Sequence, residues 1–264
     1  MDLQLEGKRA LVTGSSAGIG WAIACELASE GAYVTLNGRD PARLDAALER
    51  LRAQVPGAIV HGVAVDLASA EGCQALLAAA GEQDILVNNL GIFEPKDFAQ
   101  ITDADWLRFF EVNVLSGVRM ARHHLARMQE RGWGRVVFIS SESGICPPGD
   151  MVHYGMSKSA QLSVSRGLAE TCAGTGVTVN SVLPGPTRTE GAVDFFTTLA
   201  RNAGQTLEEA EEDFFKYARP TSLLQRFIEP GEVAAMVAYV CSPRAAATNG
   251  AALRVEGGVV RSLI

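Results

Sequence analysis

The sequence predicts an α/β fold: a doubly wound parallel sheet of about seven strands flanked by helices, in a single domain spanning residues 1–264. Short apolar runs alternate with segments of helical spacing along the whole chain. A glycine-rich turn joins the first such run to the first helical segment. No linker, low-complexity tract or internal repeat interrupts the pattern.

Residues 9–13 read as a buried strand, followed by Gly14-Ser15-Ser16-Ala17-Gly18-Ile19-Gly20. Residues 21–30 then have helical spacing, with Ile23, Ala24, Leu27 and Ala28 on one face and Gly31 as the stop. Residues 33–36 form the second strand, and Pro41 opens a helix carrying Leu44, Leu48 and Leu51. Strands follow at 59–65, 85–87, 135–139, 177–183 and 252–255. Between them lie helices at 70–80, 103–131, 151–173 and 230–241. Residues 187–227 break the alternation with helical stretches and no strand. They lie between the sixth and last strands, where a mobile substrate lid is expected. The acidic run 208–213 within them reads as a solvated helix face.

At 264 residues and 47% hydrophobic, the chain has ample material for a core. The net charge is -7 and basic residues do not cluster, which argues against a nucleic-acid partner. Apolar runs are too short to span a bilayer, and residues 1–6 lack a signal-peptide core, so no membrane association and a cytoplasmic location are expected. The five cysteines and four histidines show no metal-binding spacing, so no metal is assigned. His61, His123, His124 and His153 are read as structural or exposed. Cys146 stands out for lying five residues after Ser141, in the loop expected to line the site.

A glycine turn between a buried strand and a helix aims backbone N–H groups at an anion, aided by the helix dipole. Gly14 and Gly20 suit close backbone approach, while Ser15 and Ser16 offer hydroxyl contacts. The second strand ends Asn37-Gly38-Arg39, without the acidic residue that would take both ribose hydroxyls of NAD. Arg39 suits a 2′-phosphate and argues for NADP(H), with NAD(H) possible; the alternative is a surface arginine paired with Asp40 or with nothing. Tyr154 and Lys158, four apart, share a helix face. An ammonium there would lower the phenol pKa and make a general acid–base; the plain alternative is an aromatic packed along a lysine stem.

Together these residues resemble the short-chain dehydrogenase/reductase family, in its 3-oxoacyl-reductase-like branch, from Thr13 to Gly258. The matches are Thr13-Gly14-x-x-x-Gly18-x-Gly20, Val65-Asp66-Leu67, Asn88-Asn89-Leu90-Gly91, Asn113, Ser140-Ser141, Tyr154-x-x-x-Lys158, Pro184-Gly185-x-x-x-Thr189 and Gly257-Gly258. The resemblance implies a Rossmann fold and a ketone–alcohol oxidoreductase. In it, Tyr154 would pass the proton and Ser141 would hold the substrate oxygen. Lys158 would bind the nicotinamide ribose and lower the Tyr154 pKa, and Asn113 would hold a relay water. It also implies cofactor contacts from residues 14–20 (Ala17 and Ile19 included), Asp66 and Leu67 at the adenine, and Asn89 and Gly91 along the adenosine ribose and phosphates. Pro184, Gly185 and Thr187 would meet the nicotinamide end, with Thr189 near the pyrophosphate. Asn88 would brace the sheet.

Three departures stand out: Leu90 for the usual alanine, Ala17 where NADP-preferring members often carry a basic residue, and Glu142 beside Ser141. Glu142 either binds a polar substrate group or faces solvent, with solvent favoured. The pocket is expected from the loop 144–152, the loop after Gly91 and the lid, with Ile145, Met151, Phe93, Phe195 and Phe196 making it mainly apolar. The resemblance further implies a homotetramer or homodimer built on the helices of Asn113 and Tyr154. Ala160, Leu162, Val164 and Leu168 would suit that contact, or else packing onto the sheet. A catalytically silent NADP(H)-binding sensor is the alternative function.

Overall fold

A computed structural model describes residues 1–263. Its sheet has seven parallel strands in the order β3-β2-β1-β4-β5-β6-β7. These are β1 (Arg9–Val12), β2 (Tyr33–Gly38), β3 (Val60–Ala64), β4 (Ile85–Asn88), β5 (Gly134–Ile139), β6 (Val177–Pro184) and β7 (Ala252–Val255). All pairs are parallel, with Val12 opposite both Leu36 of β2 and Val87 of β4.

Alternation along the strands divides the core between two faces. Ala10, Val12, Val137 and Ile139 join helices α1 (Gly18–Ser29), α2 (Pro41–Gln54) and α9 (Pro230–Cys241) on one face. Leu11, Val136 and Phe138 join α3 (Ala70–Ala80), α5 (Ser116–Glu130) and α6 (Val152–Thr171) on the other. The chain reverses direction across the sheet between β1 and β4. Such a switch point opens a crevice beyond the strands' carboxyl ends.

Two predicted elements differ. Ile59 is half exposed and precedes β3 instead of opening it. The expected helix 103–131 is α4 (Asp103–Phe110), a π-helical turn at Glu111–Leu115, and α5. The hydrophobic spacing runs through this turn, so periodicity does not reveal it, but Asn113 sits at its centre. Residues 187–227 hold α7 (Glu190–Ala203), α8 (Leu207–Asp213) and a second π turn at Phe214–Ala218. A single parallel bridge ties Thr187 to Ile228. Phe196, Phe215 and Phe227 give this segment a small aromatic core of its own. In the acidic run, Glu208, Glu209 and Glu212 face solvent, while Glu211 makes a two-pronged pair with Arg188 at 2.6 and 2.7 Å.

Candidate active site

A cleft of about 890 Å³ opens at the carboxyl ends of β4, β5 and β6, with Ser141, Tyr154 and Lys158 on its wall. The helical spacing of α6 places Tyr154, Lys158 and Gln161 along one stripe. Lys158 is buried, and its Nζ donates to the Ile139 carbonyl at 2.9 Å. That ammonium lies 5.6 Å from the centre of the Tyr154 ring.

Asn113 is brought behind Lys158 and is fully engaged. Its Oδ1 accepts from the Ile92 N–H at 2.8 Å, and its Nδ2 donates to Ile92 O at 3.0 Å and to Ser157 Oγ at 2.9 Å. The π turn presents the Asn113 carbonyl to α6, where Gln161 Nε2 donates to it at 2.6 Å. Sequence reasoning missed Ser157 and Gln161, although their offsets from Tyr154 put them on this helix face.

The expectation that Lys158 lowers the Tyr154 pKa is not met. Burial pushes the phenol up, and the Glu142 carboxylate pushes it the same way; the Ser141 hydroxyl and Arg219 pull it down. Burial also holds Lys158 down, at about 7, against the Glu142 charge. Lys158 is buried and Tyr154 half-buried on the cleft wall, and for each the cost of burying the charged form is the largest influence.

Glu142 is a second correction. It is 5% exposed rather than facing solvent. It accepts the Ser141 hydroxyl and lies 3.5 Å from Arg219 Nε, at the end of the 187–227 segment. Sequence gave no sign of Arg219, because the contact joins residues far apart in the chain.

The glycine turn has the shape of a phosphate cradle. Gly14 and Gly18 have φ of 60° and 58°, a conformation that favours glycine. A Cβ on Gly20 would stand 2.3 Å from Asn89 Nδ2, so only glycine fits. Asn89 donates to Thr13 O at 3.0 Å and Gly14 O at 2.9 Å, which fixes the turn. Asn37, another residue missed, accepts from Gly14 N and donates to Val63 and Val65 carbonyls.

Ser15 departs from expectation. It is fully buried, donates to Val12 O at 2.7 Å and accepts from Asn37 N at 3.0 Å, so its hydroxyl serves the turn and not a ligand. Leu67 likewise commits its side chain to the core, while Asp66 is exposed and accepts from Ala68 N. Ser16, Ala17 and Ile19 are half-buried. Arg39 is exposed and makes no ion pair among the described residues. A Cβ on Gly38 would come within 3.2 Å of the Ser16 hydroxyl, so Gly38 leaves that corner open. These residues fit a nicotinamide dinucleotide: a close-approach turn, an unobstructed basic residue at the end of β2, and Lys158 in the cleft.

Thr189 caps α7 and lies over Gly18, and the adjacent Glu190 accepts from Gly18 N at 2.9 Å. Pro184, Gly185 and Thr187 line the cleft, and Thr187 donates to Gly185 O at 2.9 Å. Gly91 stands before Lys158; a Cβ there would lie 3.4 Å from Nζ. Asn88 is buried with neither side-chain polar atom partnered, against Gly117. Phe93, Met151, Phe195 and Phe196 line the cleft as expected, and Ile145 does not. His153 is buried edge-on to Phe109 at 4.1 Å, a packing position. Among the described residues no cluster of His, Cys, Asp and Glu could hold a metal.

The chain resembles known proteins over its whole length. A family model described as enoyl-(acyl carrier protein) reductase matches residues 14–260. The uncharacterised oxidoreductase YvaG of Bacillus subtilis is 51% identical over 100% of both chains. The 3-oxoacyl-[acyl-carrier-protein] reductase of Aquifex aeolicus is 34% identical over 98% of this chain and 100% of its own. The L-sorbose reductase of Gluconobacter frateurii, solved with NADPH and L-sorbose, superposes with TM-score 0.93 at 32% identity over 100% of both chains.

Proposed function

The chain belongs to the short-chain dehydrogenase/reductase family, and from that membership we propose an NAD(P)-dependent oxidoreductase that interconverts a ketone and a secondary alcohol. The favoured direction is NADPH-linked reduction of a mainly apolar carbonyl compound. One observation carries the reading: Ser141, Tyr154 and Lys158 share one cleft wall, with Asn113 locked behind Lys158.

The bound nicotinamide supplies or accepts the hydride, and the protein handles the oxygen and its proton. Tyr154, pushed up by burial, keeps its proton at neutral pH and so suits the role of acid toward a carbonyl oxygen. Once turned away from Glu142, the Ser141 hydroxyl is a hydrogen-bond donor for that oxygen. Lys158 orients the nicotinamide ribose, and Asn113 and Gln161 hold its surroundings fixed. Phe93, Phe195, Phe196 and Met151 favour a substrate with a hydrophobic body.

NADPH preference rests on Arg39, the open corner at Gly38 and the lack of an acidic residue there. The NADPH-bound L-sorbose reductase and actinorhodin polyketide ketoreductase (34% identical, TM-score 0.87) support it. Residues 187–227 act as the substrate lid, their aromatic core letting them move as a unit. The same reading gives a cytoplasmic homotetramer or homodimer; Val164 and Leu168 pack against the sheet core, which leaves Ala160 and Leu162 for the helix pairing. No helix among the described residues is long and apolar enough to cross a membrane.

Tyr154→Phe tests the reading. Turnover of a ketone panel with NADPH should fall at least about 100-fold while NADPH still binds. Turnover that survives the change would contradict it, and a biological output that survives without turnover would favour a sensor.

A further inference from the structure

The hydroxyl of Ser141 has one hydrogen, and it is already used. Ser141 donates to Glu142 and accepts from the Ser143 N–H at 3.1 Å. An ionised carboxylate accepts hydrogen bonds and donates none. In this arrangement Ser141 therefore offers the cleft a lone pair and no hydrogen. A ketone oxygen is itself only an acceptor, so Ser141 cannot bind it without first leaving Glu142.

A buried carboxylate gives up a hydrogen bond easily only when another partner compensates it. Glu142 is 5% exposed, and the cation facing it is Arg219. Arg219 itself is held by the π turn of the 187–227 segment: its backbone N–H donates to Phe214 O at 2.9 Å and its Nη1 to Ala218 O at 3.0 Å. Both residues line the substrate cleft.

We propose that Glu142 and Arg219 are a positioning pair that controls whether the Ser141 hydrogen points to Glu142 or to the substrate oxygen. Arg219 compensates the carboxylate when Ser141 turns away, so the 187–227 segment and the catalytic serine act together. The inference rests on the proposed ketone chemistry. It deepens that chemistry by assigning two cleft residues that act through Ser141.

The test is the affinity of para-fluoroacetophenone, an apolar aryl ketone, for the full-length protein saturated with oxidised cofactor. The ketone cannot be reduced in that complex, so fluorine NMR reads binding without turnover. Arg219→Met removes the ion-pair partner of the carboxylate and should weaken ketone binding about tenfold, the worth of one hydrogen bond. Adding Glu142→Gln to Arg219→Met should restore it to within about threefold of the parent, and Arg219→Lys should retain most of it. Glu142→Gln alone should tighten binding, which keeps the proposal testable if Arg219→Met does not fold. A double variant as weak as Arg219→Met, no effect of Arg219→Met, or weaker binding by Glu142→Gln would each overturn the proposal and leave the ketone reading intact. A parent protein that binds cofactor but no ketone would overturn both.

Discussion

Lys158 shows what burial does to a single side chain. Its ammonium is held at about 7 against an ordinary 10.5, so between these values the unfolded chain binds more protons than the folded one. Its contribution to stability therefore rises with pH across that window and is lost as pH falls through about 7. Urea midpoints measured from pH 7 upward should rise more steeply for the parent than for Lys158→Met; parallel curves would contradict the assignment. At the cofactor site, Arg39→Ser should weaken NADPH binding about tenfold and leave NADH nearly unchanged, read by nicotinamide fluorescence. Equal losses for both would remove Arg39 as the phosphate partner. Tyr154 and Lys158 were legible as a pair from their spacing on one helix, and Ser141 and Asn113 through the family resemblance. Ser15 and Glu142 were misread for a common reason. Whether a side chain turns toward the cleft or the core depends on neighbours distant in sequence, such as Asn37 and Arg219.

At the scale of elements, α1 presents its amino-terminal end as an anion site, and the anion in contact with it belongs to the chain. Glu190, from the first turn of α7, accepts from Gly18 N and lies 3.5 Å from Arg50. A pyrophosphate bound at this helix end, as proposed, would compete with that carboxylate, so Glu190→Gln should tighten cofactor binding about threefold, the scale of one charge at a helix end. Weaker binding would instead make Glu190 part of the closed site. The alternation of apolar runs foretold the strands and most helices, because strand and helix periods differ so clearly. The π turn at Glu111–Leu115 was not foretold. Apolar residues continue through it in the sequence, and its mark is the carbonyl of Asn113 redirected to Gln161.

At the scale of the molecule, two cores sandwich a parallel sheet whose order reverses between β1 and β4, and the cleft lies beyond that reversal. The same burial that builds the second core encloses His124, both of whose ring nitrogens lack a partner, and holds it down at about 4 from 6.5. Below pH 6.5 the unfolded chain takes up that proton first, so this share of stability is lost as pH falls toward 4. His124→Leu should flatten the fall in urea midpoint over that range; an unchanged slope would place the acid sensitivity elsewhere. The proposed function requires that this sheet assemble a hydride-transfer site with Tyr154 as proton donor. Its most direct test uses NADPH deuterated at the nicotinamide C4, a panel of aryl and cyclic ketones, and mass analysis of the alcohols formed. The parent protein should place one deuterium on the carbinol carbon, and Tyr154→Phe should give at least about 100-fold less product. No labelled alcohol from any ketone with cofactor bound, or equal yield from Tyr154→Phe, would contradict it.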